Sequence, residues 1–224
     1  MKLHYDPLST AARAVTFFLY DQGLAFEEAV VSLHLGEHRT PGFLALNPSG
    51  QTPVLEDGDF VLTESSAILR YLALKTGSAT YPGDPKGAAR VDEAMSWFST
   101  NFRVYFCAFL VYARTLPELA WLRPETQADM ARLGEGGTRR FLTVLDRQML
   151  GGRTHVCGDQ ITIADYLGYA LVSLGFAVDF DFGPYPNVQA WLDRLQARAG
   201  WDAAHASFSG YVRAIRAERG GASA

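Results

Sequence analysis

Leu46-Asn47-Pro48-Ser49-Gly50-Gln51-Thr52-Pro53-Val54-Leu55 reads LNPSGQTPVL, a turn-forming run that ends in a proline at the entrance to an apolar strand. Proline lacks the N–H that a ladder needs, so Pro53 marks a strand start with its own backbone geometry rather than the interior of a central strand. The Thr52–Pro53 bond is either an ordinary trans junction or a cis bond that turns the backbone of Thr52 outward, where an extended peptide can pair with it.

On either side of this run, strand and helix patterns alternate. Upstream, Lys2–Asp6 alternates like a strand, and Val15, Phe18 and Leu19 recur at helical spacing in a helix that ends at Gly23. Phe26–Val31 reads as a second strand and Thr40–Ala45 as a short helical turn. Downstream, Thr52–Leu55 and Phe60–Thr63 flank Glu56-Asp57-Gly58-Asp59, whose Asp-Gly step predicts a hairpin. A helix follows from Glu64, with Ile68, Leu69 and Leu72 on one face and Gly77 at its end. The predicted order is β-α-β-α-β-β-α.

Gly77 to Gly87 is rich in glycine and proline and reads as a linker. Beyond it helical periodicity takes over: about 87–115, 124–150, 163–176, 187–199 and 203–218. The chain therefore divides into an α/β domain over 1–77, a linker over 78–87 and an all-α domain over 88–224. Thr162-Ile163-Ala164-Asp165 has the form of a capping box, a folding signal. Gly134-Glu135-Gly136-Gly137 predicts a break or kink in the second long helix; with no strand before it and no Gly-Lys-Ser/Thr after it, it is no phosphate loop.

Composition narrows the function. At 224 residues and 48% hydrophobic, the chain can bury one large core or two modest ones. A net charge of -4 without a dense Lys/Arg cluster offers no footprint for nucleic acid or an anionic membrane. No apolar run approaches the roughly 18 residues of a membrane span, and Met1 runs straight into a strand, so the expected location is the cytoplasm. Cys107 and Cys157 have no metal-ligand spacing and read as small hydrophobes, so neither a metal site nor a disulfide framework is expected.

Chemistry concentrates at helix starts. In Asp6-Pro7-Leu8-Ser9-Thr10-Ala11-Ala12-Arg13, two hydroxyls stand where the first helix begins. They either cap it or, with the helix dipole, stabilise an anion supplied by a ligand. Thr63-Glu64-Ser65-Ser66 repeats the pattern: a cap, or a site where N–H groups and Ser65 take a carboxylate while Glu64 takes an ammonium. Gly36-Glu37-His38-Arg39-Thr40 offers donors for a second carboxylate, or a solvated loop.

The run GEHRTPGFLALNPSGQTPVLEDGDFVLTESSAILRYLA, together with VCGDQITIADY in the helical half, resembles the glutathione S-transferase superfamily, and most of all its serine-type phi and theta classes. The likeness covers almost the whole chain. It implies a thioredoxin-like first domain with a cis proline, an all-helical second domain, glutathione as co-substrate, and a homodimer. The implied activity is conjugation of the glutathione thiolate to hydrophobic electrophiles, with peroxide reduction or dehalogenation as related chemistry. The alternative is a non-catalytic binding or regulatory protein on the same fold. By the same resemblance Ser9 activates the thiol, with Thr10 as the other candidate hydroxyl; His38 and Arg39 meet the glycine carboxylate; Gln51, Thr52 and Pro53 meet the peptide backbone; and Glu64 and Ser65 meet the γ-glutamyl end. Leu8 stands where relatives often carry a small residue, and Thr10 where some bacterial members carry cysteine, so cysteine-based chemistry is not expected. Phe98, Phe102, Tyr105, Phe109 and Tyr112 alternate by four and three along one face of the first long helix. In the resembling family that helix borders the electrophile pocket, which assigns Leu8, Tyr105, Phe109 and Tyr112 to it.

Overall fold

The computed structural model describes residues 1–115, 119 and 121–221. Its first half is β1 (Lys2–Tyr5), α1 (Thr10–Asp21), β2 (Glu27–Val30), a 3-10 turn at Glu37–Arg39, α2 (Pro41–Leu46), β3 (Val54–Asp57), β4 (Phe60–Leu62) and α3 (Ser65–Thr76). The strands form one sheet in the order β2-β1-β3-β4. β1 runs parallel to β2 and antiparallel to β3, and β3 pairs antiparallel with β4 through the Asp57–Phe60 hairpin.

Strand alternation sorts the side chains between two faces. Leu3, Tyr5 and Leu55 join the main core, whereas Val54 turns the other way and packs with Val31 and Phe43 of α2. The predicted element order stands, with β3 beginning at Val54 rather than Thr52. Proline explains the later start: without an N–H, Pro53 precedes the ladder instead of joining it.

The second half is α4 (Pro85–Trp97), a π-helical stretch Phe98–Tyr112, α5 (Ala113–Thr115), α6 (Pro124–Val144) widening into a π stretch Leu145–Leu150, α7 (Ile163–Val172) tightening into a 3-10 stretch Ser173–Val178, α8 (Pro186–Gln196) and α9 (Trp201–Gly221). Helix α4 starts inside the predicted linker, because Pro85 occupies its first turn and the Asp84 carboxylate accepts from the Lys86 and Gly87 amides at 3.1 and 2.9 Å.

Two helical details differ from expectation. Helix α6 runs unbroken through Gly134–Gly137. A Cβ on Gly134 would lie 2.8 Å from the Leu110 backbone N, and one on Gly137 would lie 2.1 Å from the Tyr105 ring. Those two glycines let α6 approach the π stretch closely. The aromatic stripe also splits. In a π-helix the bonds span i to i+5, so a spacing of four holds one face: Phe98, Phe102, Phe106 and Leu110 form the buried row. Tyr105 packs on Phe141 of α6 with ring centroids 5.4 Å apart, while Tyr112 turns toward α1.

All ten residues of α7 are buried. Its Asp165 carboxylate accepts from the backbone N–H groups of Thr162 (2.8 Å) and Val156 (2.9 Å) and from the Trp191 indole (2.9 Å), so the predicted capping box also ties α8 into the core. The two halves share one continuous core, with α1 packed between the sheet and helices α7 and α9. At the C-terminal end of α1, Asp21 accepts from Tyr166 and from Arg198 Nε (2.7 Å).

Candidate functional site

Sheet register alone brings four loops to one edge. His4 lies opposite Val54, so the chain after Tyr5 leaves the sheet beside Thr52 and Pro53. Tyr5 lies beside Val30 in the parallel pair, which sends the segment to His38 and Arg39 out at the same end. Leu62 lies opposite Leu55, so Thr63, Glu64 and the start of α3 leave there as well.

The first loop is anchored by Asp6, a residue that the sequence pattern did not single out. Its carboxylate accepts from the Leu8 amide at 2.7 Å and the Leu33 amide at 2.9 Å, and its carbonyl from the Ser9 amide at 3.0 Å. The Asp-Pro step was the available signal, since Asp side chains bond backbone two residues on. Ser9 is the N-cap of α1, its Oγ accepting from Ala12 N at 3.4 Å, and it is half-buried. A serine in this role keeps its own proton for another acceptor. Thr10 is buried and accepts the Tyr112 hydroxyl at 3.0 Å. Leu8 is exposed beside them.

In the second loop, Arg39 Nε donates to His38 Nε2 at 3.2 Å. A guanidinium only donates, so the neutral imidazole carries its proton on Nδ1. That Nδ1 is buried with no acceptor among the described residues. Gly50, at φ 59°, supplies the tight turn beneath it: a Cβ there would sit 3.3 Å from the His38 carbonyl.

The third loop holds Gln51 exposed and Thr52 buried, with a cis Thr52–Pro53 bond and with Thr52 Oγ1 lacking a partner among the described residues. Asn47, also missed in the sequence, organises it. Its side chain donates to the Gln51 carbonyl at 2.7 Å and accepts from the Ser49 amide at 3.0 Å.

The fourth loop presents Glu64 at φ 66° and ψ 112°, a conformation that costs a non-glycine residue about 1–3 kcal/mol. Glu64 stands at the N-cap of α3 without a side-chain capping bond, and no other side chain among the described residues supplies one. The expectation of a plain cap fails there, leaving the α3 N–H groups, Ser65 and an exposed carboxylate together at the edge.

Such an edge can hold an anion at α1, a carboxylate at His38, an extended peptide at Thr52 and an ammonium–carboxylate pair at Glu64 and Ser65. Neither cysteine belongs to it: burial pushes the Cys107 thiol up to about 12 and the Cys157 thiol up to about 11. Phe109 lies beside Gly134 of α6, and Tyr105 is directed at the same helix, so Tyr112 alone of the three bonds to the edge. A separate open groove of about 820 Å³ lies at the linker between Leu74, Tyr81, Lys86 and Cys157 and contains none of these residues. Among the described residues no group of three or more His, Cys, Asp or Glu is placed to hold a metal ion, and no helix is long and apolar enough to cross a membrane.

Sequence models of "Glutathione S-transferase, N-terminal domain" and "Glutathione S-transferase, C-terminal domain" match residues 2–74 and 104–199. Glutathione S-transferase theta-2B of Homo sapiens is 33% identical over 204 residues, 89% of this chain and 82% of that protein. Theta-1 of Bos taurus is 33% identical over 205 residues, 89% and 84% of the two chains. The crystal structure of human glutathione transferase theta-2 in complex with glutathione and an unknown ligand superposes with a TM-score of 0.85 at 29% identity, covering 97% of this chain and 90% of that one. A human theta-class transferase in complex with the glutathione conjugate of 1-menaphthyl sulfate gives a TM-score of 0.85 at 30% identity, covering 96% and 88%.

Proposed function

The chain belongs to the glutathione S-transferase family and is a transferase enzyme; from that membership we propose how its four-loop edge binds glutathione and conjugates it to hydrophobic electrophiles. The convergence of those loops, set by the sheet register, carries the assignment. Glu64 and Ser65 hold the γ-glutamyl end, Gln51, Thr52 and Pro53 align the peptide, and His38 Nδ1–H with Arg39 takes the glycine carboxylate. The sulfur then lies at the N-terminus of α1, beside Ser9.

A free thiol with a pKa near ~8.5 is only a few per cent ionised at neutral pH. A hydrogen bond from Ser9 to the charged form contributes about 1.5–3 kcal/mol, or roughly one to two pKa units, and makes the thiolate a major species. The thiol proton leaves to solvent. The sulfur's electron pair then forms the new bond to the electrophile's carbon while a leaving group departs or a ring opens. Leu8, Phe109 and Tyr112 border the electrophile, and Tyr105 supports that wall from the α6 side. The remaining assignments are functional domains over 1–77 and 88–224, a homodimer and a cytoplasmic location, with no role for nucleic acid or membrane.

Calorimetry with glutathione tests the assignment. Binding by the parent, weakened at least tenfold in Glu64→Ala/Ser65→Ala, supports it; no binding at millimolar glutathione rejects it. A monomer mass by light scattering at micromolar protein rejects the dimer.

A further inference from the structure

Several threonines inside the helices of this protein spend their hydroxyl protons locally, although the Thr138 hydroxyl, buried in α6, has no partner among the described residues. Thr76, Thr100, Thr115 and Thr143 each donate to the carbonyl four residues back, at 2.8 to 3.0 Å. Thr10 differs. It is the first residue of α1, and the carbonyl four back, that of Asp6, already accepts the Ser9 amide. Its Oγ1 accepts the Tyr112 hydroxyl at 3.0 Å, with tyrosine as the donor. A hydroxyl has one proton and two lone pairs, so the Thr10 proton is left over, and no acceptor takes it among the described residues.

Two consecutive residues at the positive end of α1 thus hold hydroxyl protons with no internal destination. We propose that Thr10 is a second hydrogen-bond donor to the glutathione sulfur, and that Tyr112 is the positioning residue that aims it by occupying the Thr10 lone pair. The proposal rests on the reading that the sulfur lies beside Ser9. Tyr112 comes from the π stretch of the helical half, 102 residues away in sequence. The half that encloses the electrophile thereby also tunes the acidity of the thiol. Hydrogen bonds in series polarise one another, by about 10–30% per bond, so a donor behind Thr10 makes Thr10 the better donor. Burial raises the Tyr112 pKa and keeps that donor protonated across the working pH range. Both hydroxyls keep their protons; only the thiol proton is lost, to water.

The test is the pKa of bound glutathione, read from thiolate absorbance in the binary complex of full-length protein. Tyr112→Phe keeps the ring and removes the donor, and is expected to raise that pKa by about half to one unit. Thr10→Val is expected to raise it by at least as much, Thr10→Ser to restore it, and Tyr112→Phe to add nothing in the Thr10→Val background. An unchanged pKa in Tyr112→Phe, with only the electrophile KM altered, overturns the proposal and leaves Tyr112 as a wall. Equal shifts with and without Thr10 overturn it too, since Tyr112 then acts by another route. Failure of the parent to bind glutathione is a separate result, seen first by calorimetry, and rejects the functional assignment with this proposal.

Discussion

Arg13 lays its guanidinium 3.8 Å above the centre of the Phe208 ring, joining α1 to α9, and it does so fully buried and without a carboxylate partner among the described residues. Its hydrogen bonds go to the Ser173 hydroxyl at 3.0 Å and the Ala170 carbonyl at 3.2 Å, and Nε has no partner among the described residues. Desolvation lowers its pKa to about 10. The charge is still retained at neutral pH, stabilised by neutral dipoles and an aromatic face.

Replacing that charge by apolar volume should therefore be tolerated better than removing the volume. Arg13→Met is expected to unfold within about 1 kcal/mol of the parent, whereas Arg13→Ala, which leaves a void under Phe208, costs about 3 kcal/mol or more. Urea unfolding monitored by tryptophan fluorescence distinguishes the two. Equal losses in both variants would show that the guanidinium hydrogen bonds dominate.

His205 makes stability depend on acid. Its Nδ1–H donates to the Trp201 carbonyl at 3.0 Å, its Nε2 is buried without a partner among the described residues, and the rings of Phe17, Tyr169 and Trp201 surround it. Burial, with Arg13 nearby, lowers its pKa from 6.5 to about 3. The folded state thus binds fewer protons than the unfolded one between those values. The stabilising contribution is whole above pH 6.5 and declines as pH falls toward 3, by about 1.4 kcal/mol per unit at most. Melting temperatures from pH 7.5 to 4.5 should fall more steeply for the parent than for His205→Phe; parallel curves would assign the acid sensitivity to other groups.

Glycines two residues apart in α6 should respond with opposite signs. Gly136 is exposed and has nothing within 4 Å of the place a methyl group would take, so Gly136→Ala gains about 1 kcal/mol of helix propensity. At Gly134 the methyl would meet backbone atoms of Phe109 and Leu110 at 2.8 to 3.0 Å, so Gly134→Ala must separate α6 from the π stretch and destabilise. A stabilised Gly134→Ala would mean that this packing is loose.

Ser9→Ala is expected to lower turnover about 10- to 100-fold with glutathione affinity nearly unchanged, because Ser9 meets the sulfur while binding is spread over the other three loops. Loss of its hydrogen bond should move the alkaline rise of the rate up by roughly one to two pH units. The α1 dipole and Thr10 remain, so the loss is partial. Comparing pH–rate profiles of Ser9→Ala and Thr10→Ala ranks the two hydroxyls: a larger shift for Thr10→Ala would make Thr10 the principal donor.

Local patterns were sufficient for much of this protein. Period-two and helical spacing, the Asp-Gly hairpin, the capping box at Thr162–Asp165 and the hydroxyls at two helix starts were legible in the chain, because each is decided by residues within a few positions of one another. Tertiary structure decided what depends on distant neighbours. Gly134 and Gly137 spell a helix break locally, but α6 runs on because the π stretch offers it a surface that only a glycine can approach. The aromatic stripe holds one face only on a helix of ordinary pitch, and the wider π turn divides it, placing Phe98 and Phe102 in the core, Tyr105 against α6 and Tyr112 on Thr10. Asp6, Asn47 and the strained Glu64 gained their importance from loops that the sheet register brings together. No local spacing encodes that meeting, because a hydrogen bond between residues 102 positions apart exists only after both have been packed against the same core.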